Sequence, residues 1–244
     1  MVNNLHMKRF LTIATMLLAG SIAMYAQSVV PTGATAEDYI KLLNASGYEA
    51  YAFHFDRIDD NVTFDIRVEI KEYVGRNPEA VASTVWSLWP SRRVFSEVPA
   101  RYNDNPEEFA KLKAASYDPD RGIYCLNDRL TLGFRPSDSD STARAFLSVE
   151  NEIVSSTRIL KLRPVETPWS GRGPIFRYDS RPFKASPFAF DTFIPLVLYC
   201  SYWYDSQYNV VRCCGEREIS PELTSEILEN APHYFIIGVT FCRR

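Results

Sequence analysis

The stretch Val62-Thr63-Phe64-Asp65-Ile66-Arg67-Val68-Glu69-Ile70 decides the fold class. Val62, Phe64, Ile66, Val68 and Ile70 are apolar, and the residues between them are polar or charged. A period of two sends alternate side chains to opposite faces of a strand. The stretch therefore reads as a strand with one face in a core and one in water. Such a strand belongs in an antiparallel sheet covered on one side. Burying the five apolar side chains contributes on the order of 10 kcal/mol as an upper bound.

The residues just upstream supply an expected partner. Tyr51, Phe53 and Phe55 alternate with Ala52, His54 and Asp56, and Asp59-Asp60-Asn61 is a turn signal. A two-residue turn at Asp59-Asp60 sets Phe55 opposite Phe64 and Phe53 opposite Ile66. A slip of one residue flips every side chain, so the apolar pattern selects an even-numbered loop. In that register His54 faces Asp65 on the wet side.

The amino terminus carries a targeting pattern. Lys8-Arg9 is basic, Phe10 to Met24 is apolar and uncharged, and Ala23 and Ala26 offer small residues for cleavage. This order is that of a secretory signal peptide over residues 1–26. The run is too short for a stable transmembrane helix, which needs about 20 residues. Leu18-Ala19-Gly20-Ser21 is similar to a bacterial lipoprotein signal, but Ser21 stands where the lipidated cysteine must be. A serine cannot form the thioether anchor. The expectation is an exported protein, periplasmic or secreted and not lipid-anchored.

Removal of residues 1–26 leaves 218 of the 244, enough for a single domain over 27–244. That domain holds 25 basic and 30 acidic side chains, a net charge of −5 without a basic run. Nucleic acid is therefore not an expected partner. Export also permits disulfides. Tyr199 to Tyr204 and Tyr208 to Cys214 read as two strands, and a two-residue turn at Ser206-Gln207 places Cys200 opposite Cys213. Five cysteines are an odd number, so at least one stays free or pairs between molecules.

Four helices are expected from start and stop signals. The first runs from Thr35 to Asn44 and is closed by Gly47. Asn77-Pro78-Glu79 opens the second, with Val81, Val85, Trp86, Leu88 and Trp89 near one face and Pro90 as the stop. Asn105-Pro106-Glu107 opens the third, which carries Phe109 and Leu112 to about Ser116, and Ser220-Pro221-Glu222 opens the last, closed at Asn230-Ala231-Pro232. Strands are expected at Ile123–Phe134, with a bend at Asn127-Asp128, and as a pair over Ala143–Leu162 turning at Glu150-Asn151-Glu152. Phe188–Tyr204 and Tyr234–Cys242 are apolar on both faces and read as central strands. Pro164–Pro187 is a long loop rich in Pro, Gly, Arg and Ser. These elements add up to an α+β fold, a mainly antiparallel sheet with about four helices packed on it. A β-sandwich is the second choice.

The search for chemistry is mostly negative. After cleavage only His54 and His233 remain, too few for a histidine-based metal site without carboxylates. There is no Gly-X-Ser-X-Gly elbow, no phosphate-cradling glycine loop and no Cys-X-X-Cys. Asp138-Ser139-Asp140-Ser141-Thr142 resembles the start of a calcium loop but lacks its glycine and distal glutamate. No catalytic residue, metal ligand or cofactor is assigned.

Aromatic residues make up 14% of the chain, and they are the one unusual resource. Trp169 lies in the long loop, and Tyr202, Trp203 and Tyr204 flank the second turn. Surface Trp and Tyr stack on sugar rings or anchor protein partners. These four are the candidate ligand-binding residues. The expected function is a non-catalytic exported binding or accessory protein of the bacterial envelope, with a glycan, a peptide or an envelope protein as partner. The alternative is a secreted hydrolase built on dispersed carboxylates or a Ser/Cys-His pair.

Overall fold

The computed structural model describes residues 35–55, 63–94, 105–107, 110, 117–118, 123–125, 129–149, 152–169, 171–187 and 189–243. The expected signal peptide and the Asp59-Asp60-Asn61 turn lie outside these residues. Two compact units are present, one ending at Leu42 and one running from Leu43 to Arg244. Of the first, only the opening turns of helix α1 (Ala36–Ala45) are described. The helix ends as expected at Gly47, whose backbone is left-handed (φ 75°). There Tyr48 N–H donates to Leu43 C=O and Gly47 N–H to Asn44 C=O, each at 3.0 Å. This pair of bonds satisfies carbonyls that the helix end would otherwise strand.

The second unit is built from two antiparallel sheets. The smaller has the order β1 (Glu49–His54), β6 (Arg129–Pro136), β7 (Thr142–Val149), β8 (Glu152–Lys161). The larger has the order β4 (Tyr117–Asp118), β5 (Ile123–Cys125), β3 (Ala82–Val94), β2 (Phe64–Val74), β13 (His233–Arg243), β10 (Phe193–Ser201), β9 (Tyr178–Pro182). A short hairpin, β11 (Trp203–Asp205) with β12 (Val210–Arg212), stands apart from both.

Alternation explains the stacking. Phe64, Ile66, Val68 and Ile70 of β2 and Phe235, Ile237, Val239 and Phe241 of β13 point to one side. They meet Leu130, Leu132 and Phe134 of β6 and Ala145, Leu147 and Val149 of β7 in a shared core. Each fully buried large apolar side chain there contributes roughly 1.5–3 kcal/mol. Polar clasps sit at the two long edges. Trp86 Nε1 donates to Ser156 Oγ at 3.0 Å, tying β3 to β8, and Tyr51 Oη lies 2.7 Å from Ser180 Oγ, tying β1 to β9. The ring of Phe134 stacks on Tyr199 at 4.5 Å, placing β6 over β10. A second core lies on the opposite face of the large sheet. Tyr73, Leu198, Cys200, Tyr234 and Ile236 meet Trp203, Ile219 and the residues of α2 (Glu226–Asn230) there. Ser225 caps that helix, its Oγ accepting from Leu228 N–H at 3.2 Å.

The α+β expectation with four helices is overturned: among the described residues the named elements are thirteen strands and two helices. The segment after Asn77 is strand β3. Trp86 and Trp89 are both buried and three residues apart, a spacing that reads as a helical face. The pairing of β2 with β3 shifts between Val68↔Ser87 and Glu69↔Val85, so Trp86 is the extra residue of a β-bulge. The bulge, and not a helical turn, gives the spacing of three. Val85 and Leu88 are accordingly exposed on the other side. Backbone at Pro106, Glu107 and Ala110 is helical, and the rest of the expected third helix lies outside the described residues. The last helix is confined to Glu226–Asn230, because Leu223 adopts a left-handed backbone (φ 60°) that no α-helix continues through.

The expected hairpin between Tyr51–Phe55 and Val62–Ile70 does not form either. β1 pairs with β6, setting His54 against Arg129, while β2 lies between β3 and β13. Both apolar faces still reach the same core, from opposite sheets. Alternation specifies which face is buried and leaves the partner open. Ile123–Phe134 is likewise divided between β5 and β6, in different sheets. The paired strands over Ala143–Leu162 form as β7 and β8.

Two truncations separate the strand reading of β3 from the helical one. Ile66→Ala, at a fully buried site, is expected to cost about 2–5 kcal/mol. Leu88→Ala, at a site 57% exposed, is expected to stay within about 0.5 kcal/mol. Denaturant midpoints of the purified chain check both. A loss at Leu88 as large as that at Ile66 would sink this packing.

Candidate functional site

The strongest site stands where the loop after β8 meets the β11–β12 hairpin. An antiparallel bridge between Val165 and Ile175 closes the loop, with Val165 N–H donating to Ile175 C=O at 2.8 Å. The closed loop presents Trp169 and Arg172. The hairpin contributes Tyr204 and Asn209, and Asn209 takes a left-handed backbone (φ 53°) that asparagine tolerates in turns. Trp169 Nε1 and Tyr204 Oη both donate to Asn209 Oδ1, each at 2.9 Å. The two rings meet edge to face, 5.6 Å apart.

Two arginines complete the surface. The Arg172 guanidinium lies 4.8 Å over the Trp169 ring, and that of Arg177 lies 5.1 Å over Tyr202. Tyr202 N–H donates to Arg177 C=O at 2.8 Å, fixing the backbone that carries this arginine. Cation–π contacts at exposed sites contribute about 0.5–1 kcal/mol each. Trp169, Arg172, Ile175, Arg177, Asn209, Val210 and Val211 line an open recess of about 460 Å³. Its described lining holds two guanidinium groups and no carboxylate.

Three of the four aromatic residues singled out in the sequence thus gather here: Trp169, Tyr204 and, through Arg177, Tyr202. Trp203 does not. It is buried in the second core, because β11 alternates and sends Trp203 opposite to Tyr204. The arginines and Asn209 were not singled out. Arg172 and Arg177 stand among the basic residues of the long loop, and no signal in the sequence connects them to Asn209.

A second polar array lies at the neighbouring end of the large sheet. His233 opens β13 and is buried. Its Nε2–H donates to Glu72 Oε1 at 3.1 Å, and its Nδ1 accepts from the Tyr178 hydroxyl at 2.5 Å. Arg163 N–H donates to the same tyrosine oxygen at 3.0 Å, and the Arg163 guanidinium lies 3.7 Å from Glu72. Burial lowers the pKa of His233 below its usual value, against the pull of Glu72. Burial also pushes the Tyr178 hydroxyl well above the ordinary tyrosine range. A neutral imidazole with both nitrogens engaged and a phenol that resists ionisation form a hydrogen-bonded brace. No Ser or Cys side chain is hydrogen-bonded to the His233 ring among the described residues. The ring lines a cavity of about 510 Å³ together with Arg163, Glu166, Trp203 and Tyr204.

His54 sits exposed at the end of β1 opposite Arg129 of β6, and Asp65, expected beside it on the wet side, is buried in β2. Asp138 pairs with Arg144 at 2.9 Å, in the turn between β6 and β7. No cluster of three or more metal-ligating side chains occurs among the described residues, and no helix there is long and apolar enough to cross a membrane.

Fold and cavity together define a β-sandwich that carries an aromatic–arginine recess. Residues 19–243 match the family described as a domain of unknown function, DUF5041, and the chain belongs to that family. No curated protein and no solved structure matches it.

The brace sets a pH dependence. A histidine whose folded pKa is lowered contributes stability that is complete above about pH 6.5 and is lost as pH falls through the folded value. Wild-type unfolding free energy is expected to fall more steeply between about pH 7 and pH 5 than that of His233→Gln. Urea titrations of both proteins across that window provide the comparison, and parallel curves would contradict the assignment.

Proposed function

We propose that the protein is a non-catalytic exported binding protein and that the recess at Trp169 takes an acidic glycan. The observation that supports this is the lining: two arginines poised over aromatic rings, apolar walls from Ile175, Val210 and Val211, and no carboxylate among the described lining residues. A sugar ring offers C–H faces for the apolar and aromatic walls. Its carboxylate offers two oxygens for the planar fork of a guanidinium. The recess is formed before any ligand arrives, because Asn209 locks Trp169 to Tyr204. Little ordering is then left to oppose binding. Export is supported by the basic–apolar–small order of residues 8–26.

An oligogalacturonate titrated calorimetrically into the purified chain is the direct test, with a neutral gluco-oligosaccharide of equal length beside it. Binding of the acidic probe alone is expected, weakening as salt is raised. Arg177→Gln and Trp169→Ala are each expected to weaken it by about 10- to 100-fold, the loss of one charged hydrogen bond or one aromatic wall. Equal binding of both probes, or undiminished binding by both variants, would overturn the reading.

A further inference from the structure

Cys200 and Cys213 meet although they occupy different elements. Cys200 lies in β10, is fully buried and pairs across the sheet with Tyr234 and Asp179. Cys213 follows β12 and is half-buried against the second core. Their sulfur atoms are 3.9 Å apart. The register that first suggested the pair is not the one observed. The hairpin pairs Trp203 with Arg212 and Asp205 with Val210, around a four-residue turn, and Cys200 belongs to the large sheet. The chain brings the thiols together by folding the hairpin back over β10.

We propose that Cys200 and Cys213 are a redox pair that closes to a disulfide by exchange with a disulfide-bearing oxidant, Cys213 reacting first and Cys200 resolving. Access and chemistry set the order. Cys213 is the more exposed sulfur, so an incoming disulfide reaches it first. The hydrogen bond from the Cys200 thiol lowers the Cys213 pKa, and the positive charge of Arg181 adds to this. Arg181 is held in place by an ion pair to Asp179 at 2.8 Å. The Cys200 thiol is raised, first by its bond to Cys213 and then by burial, and stays protonated until its partner has reacted.

The steps balance. The Cys213 thiolate attacks one sulfur of the oxidant, whose other sulfur leaves as a thiolate and takes up a proton. The deprotonated Cys200 sulfur then attacks Cys213, and the second half of the oxidant leaves as a thiol. Two protein thiols are oxidised to one disulfide, and one oxidant disulfide is reduced to two thiols. The sulfurs, 3.9 Å apart, must approach by about 2 Å to reach bonding distance. The bond would close a loop over 200–213 that contains the whole hairpin, and so tie Tyr204 and Asn209 to β10. The proposal does not depend on the recess binding a glycan.

The adjacent Cys214 is the natural competitor, being exposed. Trypsin cleaves after Arg212 and Arg217, so Cys213 and Cys214 share one peptide, and Cys214→Ser is needed to tell them apart. The purified Cys214→Ser chain, equilibrated in a glutathione redox buffer and digested without reduction, is expected to give a peptide containing Cys200 linked to 213–217. Reduction of the oxidised chain is expected to lower its melting temperature by about 6–12 °C. Cys213→Ser is expected to abolish both the linkage and the reduction-dependent shift while leaving a folded chain. Recovery of Cys200 and Cys213 as separately alkylated thiols at an oxidising poise would overturn the proposal. So would a Cys200 linkage that persists in Cys213→Ser.

Discussion

Strand β13 is buried from His233 to Phe241, and the rest of the molecule is arranged to keep it so. It pairs with β2 along its whole length and with β10 over most of it, so its backbone groups are bonded on both sides. Its two faces must also be covered. Phe235, Ile237, Val239 and Phe241 require the small sheet on one side, and Tyr234 and Ile236 require the α2 segment and the β11–β12 hairpin on the other. A slip of one residue would exchange the two cores, and the side chains that fit one do not fit the other. Gly238 marks how tightly this is specified. A Cβ there would lie 2.4 Å from the carbonyl of Ile194 and 2.5 Å from the ring of Phe193.

The His233 brace and the position of Cys200 follow from this strand. His233 is placed at its first residue, facing Glu72 of the neighbouring β2 and Tyr178 of β9, which lies beyond β10. Tyr234, next in line, turns to the opposite face and stacks on Tyr73 at 4.8 Å. Cys200 sits opposite Tyr234 in β10, which brings its thiol to the face that the hairpin covers. The recess at Trp169 lies one layer further out. It is assembled from the loop and the hairpin, elements that join neither sheet of the sandwich. Binding groups commonly stand on such segments, because their side chains are free of the demands of core packing.

What could be read in the sequence follows the physical reach of each signal. Alternation over Phe64–Ile70 identified a buried face correctly, since the period of two belongs to the strand itself. The same held for Tyr51 and Phe53, which pack against the first core, and β7 and β8 form the expected pair of strands. A bulge defeated the reading of β3, because one inserted residue turns a spacing of two into three and imitates a helix. Proline and asparagine starts after Asn77 and at Ser220 marked turns whose chain did not go on to a helix as long as expected. The aromatic residues of the recess stood out through composition. Their partners Arg172, Arg177 and Asn209 did not, since nothing local ties residues 169 and 209 together.

The sequence by itself determined the local terms: which face of β2 avoids water, that β13 is apolar on both faces, where α1 ends, and that few histidines and scattered glycines leave no recognisable catalytic motif. Those are properties of neighbouring residues and need no knowledge of where the chain goes next. The tertiary structure alone decided which strands pair, that two sheets stack, that Trp203 turns inward while Trp169 meets Asn209, and that Cys200 meets Cys213 outside the register of a simple hairpin. Pairing and stacking are contacts between distant segments. Many partners satisfy the same alternating pattern, and only the joint burial of all the apolar faces selects one arrangement.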